Sequence, residues 1–298
     1  MTPSAESATT EPRDAADLHA RIGAWFEVHA RSLPWRTDPR PWPVMVSEFM
    51  LQQTPVVRVL PVFETWMTRW PTPAALAEEP VGEAVRAWGR LGYPRRAQRL
   101  HAAAAAIVER HGGEVPGTYE DLRDLPGIGD YTAAAIASFA FGRRHVVLDT
   151  NVRRVLVRVA EGRQYPHTSV TKDERALATS LLPDERADRW AAATMELGAV
   201  VCTARAPRCE ACPVADLCRW RRAGHPEHDG PTRRGQAWAG TDRQCRGRLL
   251  AVLRESADPV PKAELDLVWD DIGQRERCLD SLIDDGLVTP RPDGTFTL

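Results

Sequence analysis

The stretch LPGIGDYTAAAI (125–136) decides how this chain folds. Gly127 and Gly129 flank Ile128, and two glycines around one apolar residue predict a tight hairpin between two helices. The backbone amides of such a turn, together with those at the start of the next helix, suit a phosphate group. We therefore interpret Gly127, Ile128 and Gly129 as a candidate phosphate-binding turn, with a plain glycine turn as the alternative.

The segments on both sides of this turn have helical periodicity. Residues 18–30 are amphipathic, whereas residues 44–54 are strongly apolar and predict a helix that is buried on all sides. Further helices are predicted at 56–69, 81–89, 95–110, 118–124, 130–141, 151–160, 171–181 and 185–200. Since no convincing set of alternating strands interrupts them, this part of the chain is predicted to be all-α.

The last third of the sequence has a different pattern. Residues 223–240 are rich in Gly, Pro, His and Arg and predict a linker. Helices are predicted at 243–255, 262–269 and 274–285. Two short extended segments flank Asp293-Gly294, which is a hairpin signal. Three helices and a hairpin predict a small winged-helix-like α+β module.

Composition sets broad limits on the class of protein. The 298 residues are 43% hydrophobic and 27% charged, which is typical of a soluble globular chain. No apolar run approaches the roughly 20 residues that span a bilayer. The polar, acidic start has no targeting pattern, so we expect a cytoplasmic protein with reduced thiols.

Charge is unevenly distributed along the chain. The formal net charge is −2, but residues 235–298 alone hold 8 basic and 12 acidic residues. The remainder carries a modest positive excess, which suits a polyanionic partner without requiring one.

Four cysteines lie close together in the sequence. They follow the spacing C-x6-C-x2-C-x5-C and are Cys202, Cys209, Cys212 and Cys218. Four thiolates so close can hold a [4Fe–4S] cluster or a tetrahedral zinc ion, and spacing alone does not choose between them. Arg205 and Arg208 lie between the first two cysteines and predict either a phosphate-binding loop or a solvated basic surface.

Two carboxylates are candidates for chemistry. Asp149 precedes a predicted helix, where aspartate is a common N-cap and where the helix N-terminus favours its ionised form. Glu48 lies in the apolar helix 44–54, and burial favours the protonated form that a general acid needs. One carboxylate held charged and one held neutral suit the cleavage of a glycosidic bond, although Glu48 could equally be a structural residue paired with an arginine.

Taken in order along the chain, these motifs resemble those of the helix–hairpin–helix DNA glycosylase superfamily, and more closely those of A/G-specific adenine DNA glycosylases. The resemblance covers residues 18–222. It rests on LPWR (33–36), SEFMLQQT (47–54), LGYPRRAQRLH (91–101), LPGIGDYTAAAI (125–136), LDTNVRRV (148–155), MELGAVVCT (195–203) and the cysteine spacing. The resemblance implies an iron–sulfur cluster rather than zinc.

The resemblance also implies a domain plan. It implies an iron–sulfur cluster domain (18–41 with 150–222) and a six-helix barrel domain with the hairpin (42–149). Composition and pattern add a disordered tail (1–17), a linker (223–242) and the winged-helix-like module (243–298).

Roles for individual residues follow from the same resemblance. Glu48 would protonate N7 of an extruded adenine and help activate water, while Asp149 would stabilise the sugar cation. Tyr131 and Asn151 would support that catalytic site. The adenine pocket would be lined by Trp35, Arg36, Leu51 and Glu196, and the residues wedged into the duplex would be Gln53 and Tyr93. The base must leave the stack because its reacting atoms are otherwise out of reach.

Position 131 separates two reaction types within this superfamily. Bifunctional relatives carry a lysine there that forms a Schiff base, whereas this chain has Tyr131. The sequence contains only two lysines, Lys172 and Lys262, and neither is near. A monofunctional hydrolase is therefore predicted.

Two features depart from the family pattern. The family usually has glycine between the catalytic aspartate and the following asparagine, whereas this chain has Thr150. Relatives usually carry a Nudix-like C-terminal domain that recognises 8-oxoguanine, and residues 243–298 are expected to replace it. The opposite-base preference therefore does not follow from the sequence.

The predicted partner is double-stranded DNA with adenine mispaired with 8-oxoguanine or guanine, bound by a monomer associated with the nucleoid. Two alternatives stay open. One is a glycosylase for thymine or uracil opposite guanine. The other is a non-enzymatic, redox-sensing, iron–sulfur DNA-binding regulator.

Overall fold

The structure is a computed structural model that describes residues 12–228, 230 and 238–298, with side chains from residue 15 onward. The predicted disordered tail (1–17) therefore lies mostly outside the described residues. The α-helices, in chain order, are α1 (Pro12–His29), α2 (Pro34–Thr37), α3 (Pro41–Leu51), α4 (Val56–Arg69), α5 (Pro73–Ala77), α6 (Val81–Trp88), α7 (Arg95–His111), α8 (Tyr119–Arg123), α9 (Asp130–Phe141), α10 (Thr150–Leu156), α11 (Lys172–Ser180), α12 (Ala187–Val200), α13 (Arg219–Arg222), α14 (Asp242–Glu255), α15 (Lys262–Asp266) and α16 (Ile272–Asp284). The strands are β1 (Val260–Pro261), β2 (Thr289–Pro290) and β3 (Thr295–Thr297).

The chain divides into two compact units, each made of two segments. The first unit comprises residues 1–39 and 130–231, and the second comprises residues 40–129 and 232–298. The predicted plan with a separate barrel, cluster domain and module remains a prediction. None of the helices in the described part of the chain is long and apolar enough to cross a bilayer.

The first unit is built around α1, α10 and α12. Their apolar faces meet in one core that includes Ile22, Val155, Trp190 and Leu197. This core continues to Trp220 in α13 and to Val214, which follows the third cysteine. The C-terminal half of the cysteine segment is therefore packed against helices through Val214 and Cys218.

The second unit contains the helix predicted to be buried on all sides. In α3, residues from Trp42 to Met50 are all buried, so the prediction is confirmed. The helix begins at Pro41, earlier than the periodicity indicated, because proline is well tolerated in the first turn. Trp66 packs edge-to-face against both Trp70 and Trp88, with ring centroids 4.7 and 5.5 Å apart.

The C-terminal residues of the second unit form the predicted helices and hairpin. Helices α14, α15 and α16 are followed by a three-stranded antiparallel sheet in the order β1-β3-β2. The strand β1 was not predicted from the sequence, since it has only two residues and one is proline. Cys245 and Cys278 are buried in this module, at 0% and 2% exposure.

Candidate functional site

The hairpin at 125–129 forms between α8 and α9. Gly127 has a φ of +76°, and a Cβ there would lie 2.6 Å from Cβ of Arg99. Only glycine meets both conditions without strain. Ile128 is buried and Gly127 and Gly129 are exposed, so the apolar residue anchors the turn while the glycine backbone faces solvent.

Asp149 is the N-cap of α10. Its Oδ1 accepts the backbone N–H of Val152 at 2.7 Å, and its Oδ2 accepts a hydrogen bond from Nδ2 of Asn151 at 2.7 Å. Nη2 of Arg154 donates to Oδ1 of Asn151 at 2.8 Å and so fixes the orientation of that amide. Asp149 and Asn151 are therefore held together, as the predicted roles require.

The pKa of Asp149 differs from the expectation. Burial raises it above its ordinary value, and the hydrogen bonds from Val152 and Asn151 offset this only in part. The sequence suggested a carboxylate whose ionised form is favoured by the helix N-terminus, but desolvation outweighs that effect. The sequence could not show it because burial depends on the fold.

The other predicted catalytic residues lie on helices. Tyr131 is half-buried near the start of α9, in the same unit as Asp149. Glu48 belongs to the second unit, and at 6% exposure it is one of the few buried carboxylates of the protein. The predicted arrangement of Glu48 facing Asp149 stays a prediction.

Glu196, one of the predicted pocket residues, has charged partners. It is fully buried, and its carboxylate accepts hydrogen bonds from Nε and Nη2 of Arg31 at 2.6 and 2.8 Å and from Nη2 of Arg36 at 2.9 Å. Burial opposes its ionisation, but the bonds from Arg31 and Arg36 prevail and lower its pKa to about 2. Arg31 was not singled out from the sequence, since it lies outside the LPWR string.

The remaining predicted contacts differ in exposure. Trp35 is buried and Leu51 is half-buried at the end of α3. Gln53 and Tyr93 are exposed non-glycine residues with positive φ, at +56° and +48°. Backbone strain of this kind concentrates at binding sites, so both remain candidates for contact with the duplex.

The four predicted ligand cysteines come together in the first unit. Cys202, Cys209, Cys212 and Cys218 line one small cavity. Within the described residues, no three Cys, His, Asp or Glu side chains are placed to hold a single metal ion. A tetrahedral zinc site needs sulfurs within ~3.8 Å of one another, whereas a four-iron cluster presents a separate iron to each thiolate. Four cysteine thiolates around one cavity fit an iron–sulfur cluster.

Arg158 is the main residue at this site that the sequence did not reveal. It lies in a five-residue π-helical stretch, Val157–Glu161, that follows α10. Its Nη1 lies 3.3 Å from Sγ of Cys202 and donates to the carbonyl of Thr203 at 2.8 Å, and its carbonyl accepts from Sγ of Cys218 at 3.4 Å. Arg158 therefore contacts both ends of the cysteine segment, at Cys202–Thr203 and at Cys218.

The two arginines predicted in the cysteine segment are both exposed. Arg208 donates to the carbonyl of Val200, whereas Arg205 projects from the loop before the second cysteine. A phosphate-binding role for this loop remains a prediction.

Comparison with known proteins identifies the family. An adenine DNA glycosylase from Mycobacterium tuberculosis (strain ATCC 25618 / H37Rv) is 51% identical over 296 residues, which are 98% of this chain and 96% of the relative. Residues 46–178 match the model of the HhH-GPD superfamily of base excision DNA repair proteins. The chain belongs to this superfamily. Membership of the HhH-GPD superfamily confirms the predicted fold class and the expectation of a base excision repair enzyme.

More distant relatives agree with this assignment. A human adenine DNA glycosylase is 44% identical over 70% of this chain and 41% of its own length. A thymine-DNA glycosylase from Aeropyrum pernix is 34% identical over 67% of this chain and 92% of its own length. The solved structure of a thermostable thymine-DNA glycosylase superposes on 71% of this chain and 98% of its own, with a TM-score of 0.64 and 26% identity.

The cofactor expectation is also confirmed. Residues 202–218 match the iron–sulfur binding domain of endonuclease III, and this range begins and ends on two of the four predicted ligands. This HhH-GPD protein is therefore an iron–sulfur protein, with Cys202, Cys209, Cys212 and Cys218 as the residues that would hold the [4Fe–4S] cluster.

Proposed function

We propose that this protein removes adenine from duplex DNA in which the adenine is mispaired with 8-oxoguanine or guanine. The proposal is carried by the 51% identity to adenine DNA glycosylases over nearly the whole chain. It is supported by a buried carboxyl at Glu48 and by an Asp149 whose two oxygens are each fixed by one donor. We also propose that it acts as a monomer in the compartment that holds the DNA.

The proposed reaction is the hydrolysis of one N-glycosidic bond. Glu48 gives a proton to N7 of the extruded adenine, so that the base carries a positive charge and leaves as neutral adenine when it takes the electrons of the breaking bond. The sugar becomes cationic at C1′, and water adds there while losing a proton to the Glu48 carboxylate, which restores the carboxylic acid. The products are free adenine and an abasic site.

The role of Asp149 follows from its hydrogen bonds. The carboxylate oxygens accept hydrogen bonds from the backbone N–H of Val152 and from the side-chain amide of Asn151, which hold the carboxylate in one orientation. An ionised Asp149 presented to C1′ would stabilise the sugar cation electrostatically. Arg154 acts through Asn151 and is a positioning residue, because it does not itself contact Asp149 by a hydrogen bond.

The absence of a nearby lysine supports hydrolysis without strand cleavage. Tyr131 stands where a Schiff-base lysine would be needed, and a phenol cannot form an imine with the sugar aldehyde. The cluster, when bound, would order the segment 202–218 and take no part in the bond cleavage.

The test is single-turnover release of the base from duplexes containing A·8-oxoG, A·G, A·C, T·G and U·G. We expect adenine release to be fastest opposite 8-oxoguanine or guanine. Glu48→Gln should slow it at least a hundredfold, because general acid catalysis contributes about 10²–10⁴-fold. Glu64→Gln, an exposed glutamate in α4, is the matched control and should leave the rate unchanged.

Other outcomes would assign other functions. Release of thymine or uracil alone would favour the alternative glycosylase, to which the Aeropyrum pernix relative corresponds. Binding of undamaged DNA that changes with cluster oxidation, without release of any base, would favour a regulator. A covalent complex trapped by borohydride would contradict the monofunctional reaction.

A further inference from the structure

A large groove lies within the second unit. Its volume is about 1110 Å³, and it is bounded on one side by residues 52–58 and 89–99 and on the other by Trp238 and α14. No family motif accounts for its second wall, because α14 lies beyond the segments that match the family models.

The lining of this groove is strongly basic. Nine of its residues are arginines, and none of the described residues that line it is Asp or Glu. The arginines are Arg58, Arg90, Arg95, Arg96, Arg99, Arg243, Arg246, Arg248 and Arg254. The last four belong to α14, although residues 235–298 are acidic overall.

Some of these arginines support the fold. Arg96 donates to the carbonyls of Phe49, Met50 and Gln52 and to the hydroxyl of Thr54. Arg246 donates to Ser281 and Asp285.

Two others pair with carboxylates at the edge of the groove. Arg95 lies 3.2 Å from Asp285, and Arg90 lies 3.9 Å from Glu255.

Other arginines face solvent. Arg58, Arg99, Arg243 and Arg248 are all exposed. Within the described part of the chain, neither Arg99 nor Arg248 forms an ion pair, and Arg248 stacks over Trp269 at 5.1 Å. Arg243 stacks in the same way over Trp238 at 5.1 Å. Arg58 and Arg248 each donate one hydrogen bond to a backbone carbonyl, of Arg90 and Val268 respectively. A guanidinium has five N–H donors, so Arg58, Arg99 and Arg248 keep donors that can reach an anion.

The pKa values of two arginines in the groove are lowered, mainly by burial and in addition by the positive charge of a neighbouring arginine. Burial and, to a lesser extent, the charge of Arg58 lower the pKa of Arg96 to about 10. Burial and the charge of Arg90 likewise lower the pKa of Arg254. Like charges gathered around one groove are unfavourable in the free protein, and an anion in the groove would relieve that repulsion.

Two exposed rings stand beside the charges. Tyr93 is 50% exposed and Trp238 is 53% exposed, which is unusual for rings of this size. Exposed aromatic rings interleaved with arginines suit a nucleic acid, because the rings contact sugars or bases while guanidinium groups contact phosphates.

The two walls of the groove are fixed to each other. Nη1 of Arg86 donates to the carbonyls of Leu253, Arg254 and Ser256 at the end of α14. Nε2 of Gln98 donates to the carbonyl of Gly286, and a Cβ at Gly82 would lie 2.6 Å from the carbonyl oxygen of Leu298. The groove is therefore a preformed surface between α14 and the helices of the same unit.

We propose that this groove binds the sugar–phosphate backbone of the substrate DNA, and that Arg243 and Arg248 of α14 provide affinity that does not depend on the base opposite adenine. The C-terminal module thus acts as an electrostatic clamp on the duplex. The identity of the substrate rests on the proposed function, whereas the backbone contact rests on the groove itself.

The test is the salt dependence of duplex binding, measured by fluorescence anisotropy on the full holoprotein. We compare the wild type with the double variant Arg243→Gln/Arg248→Gln on three duplexes. One is undamaged, and two contain a non-cleavable 2′-fluoro-deoxyadenosine opposite 8-oxoguanine or guanine. Each lost phosphate contact reduces the slope of log K against log salt by about 0.9. The slope should therefore fall by about 2, with roughly tenfold weaker binding to all three duplexes at 0.1 M salt.

The matched control is Arg277→Gln, which removes an exposed arginine from α16 of the same module but outside the groove lining. It should keep the wild-type slope, and circular dichroism should show that all variants are folded. An unchanged slope in the double variant would overturn the clamp. A loss confined to the 8-oxoguanine duplex would also overturn it, since the module would then read the opposite base. A lowered slope in a protein that releases no adenine would leave the clamp standing and reject the proposed function alone.

Discussion

Arginines have different structural roles in the cysteine region of the first unit and in the groove of the second unit. Around the cysteines, Arg158 is 1% exposed and Arg154 is 8% exposed, and both donate to backbone carbonyls. Around the groove, Arg99 and Arg248 are exposed and form no ion pair within the described residues. In the groove, Arg96 and Arg246 also support the fold, but Arg99 and Arg248 are available to a partner. The difference lies in desolvation and hydrogen-bond satisfaction rather than in charge.

The largest effect should come from Arg158. Arg158→Met replaces a buried guanidinium, which donates to the carbonyls of Gln164, Thr203 and Ala204, by a side chain without donors. We expect the free energy of unfolding to fall by about 4 kcal/mol, because several hydrogen bonds from one buried, charged donor are lost at once. Urea unfolding of the holoprotein, followed by circular dichroism and by cluster absorbance, measures this loss.

The control for this variant is Arg175→Met, which changes an exposed arginine in α11 of the same unit. It should shift the free energy of unfolding by no more than about 0.5 kcal/mol. A loss below about 1 kcal/mol in Arg158→Met would mean that the buried arginine is not structural, and the comparison between the two regions would fail.

The next effect concerns the pair of arginines on Glu196. Its folded pKa of about 2 is below the ordinary value of 4.5, so its contribution to stability is fully present above about pH 5. That contribution should be lost as the pH falls from about 5 towards 2, and it amounts to about 3 kcal/mol. The difference in unfolding free energy between the wild type and Glu196→Gln, measured from pH 7 to pH 3, should shrink accordingly. A difference that stays constant over this range would show that Glu196 does not titrate as the Arg31 and Arg36 contacts require.

The smallest effect is expected in the groove. Arg248→Gln should change the free energy of unfolding by no more than about 0.5 kcal/mol, because the loss of stacking on Trp269 is offset by weaker repulsion among the arginines. Thermal unfolding of wild type and variant measures the shift. Destabilisation by more than about 2 kcal/mol would place Arg248 with the structural arginines and would break the distinction between the regions.

Much of the candidate site was predictable from local sequence. The hairpin glycines, the four cysteines, the buried helix around Glu48 and the N-cap position of Asp149 each follow from short-range patterns. The raised pKa of Asp149 was not predictable, because a pKa depends on solvent exclusion by segments distant in the sequence. Arg31 and Arg158 were missed for a similar reason: an arginine looks the same in sequence whether it is buried or exposed.

The sequence by itself determined the helical class, the hairpin, the group of four closely spaced cysteines and the helices of the C-terminal module. These features depend on periodicity, turn chemistry and ligand spacing, which act over a few residues. Only the tertiary structure decided where the charged side chains lie relative to one another. Residues 235–298 carry four more acidic than basic residues, yet α14 lines a groove of nine arginines. Packing places α14 beside residues 89–99 of the chain. The electrostatic potential in the groove depends on the positions of the charged side chains and not on the net charge of the segment.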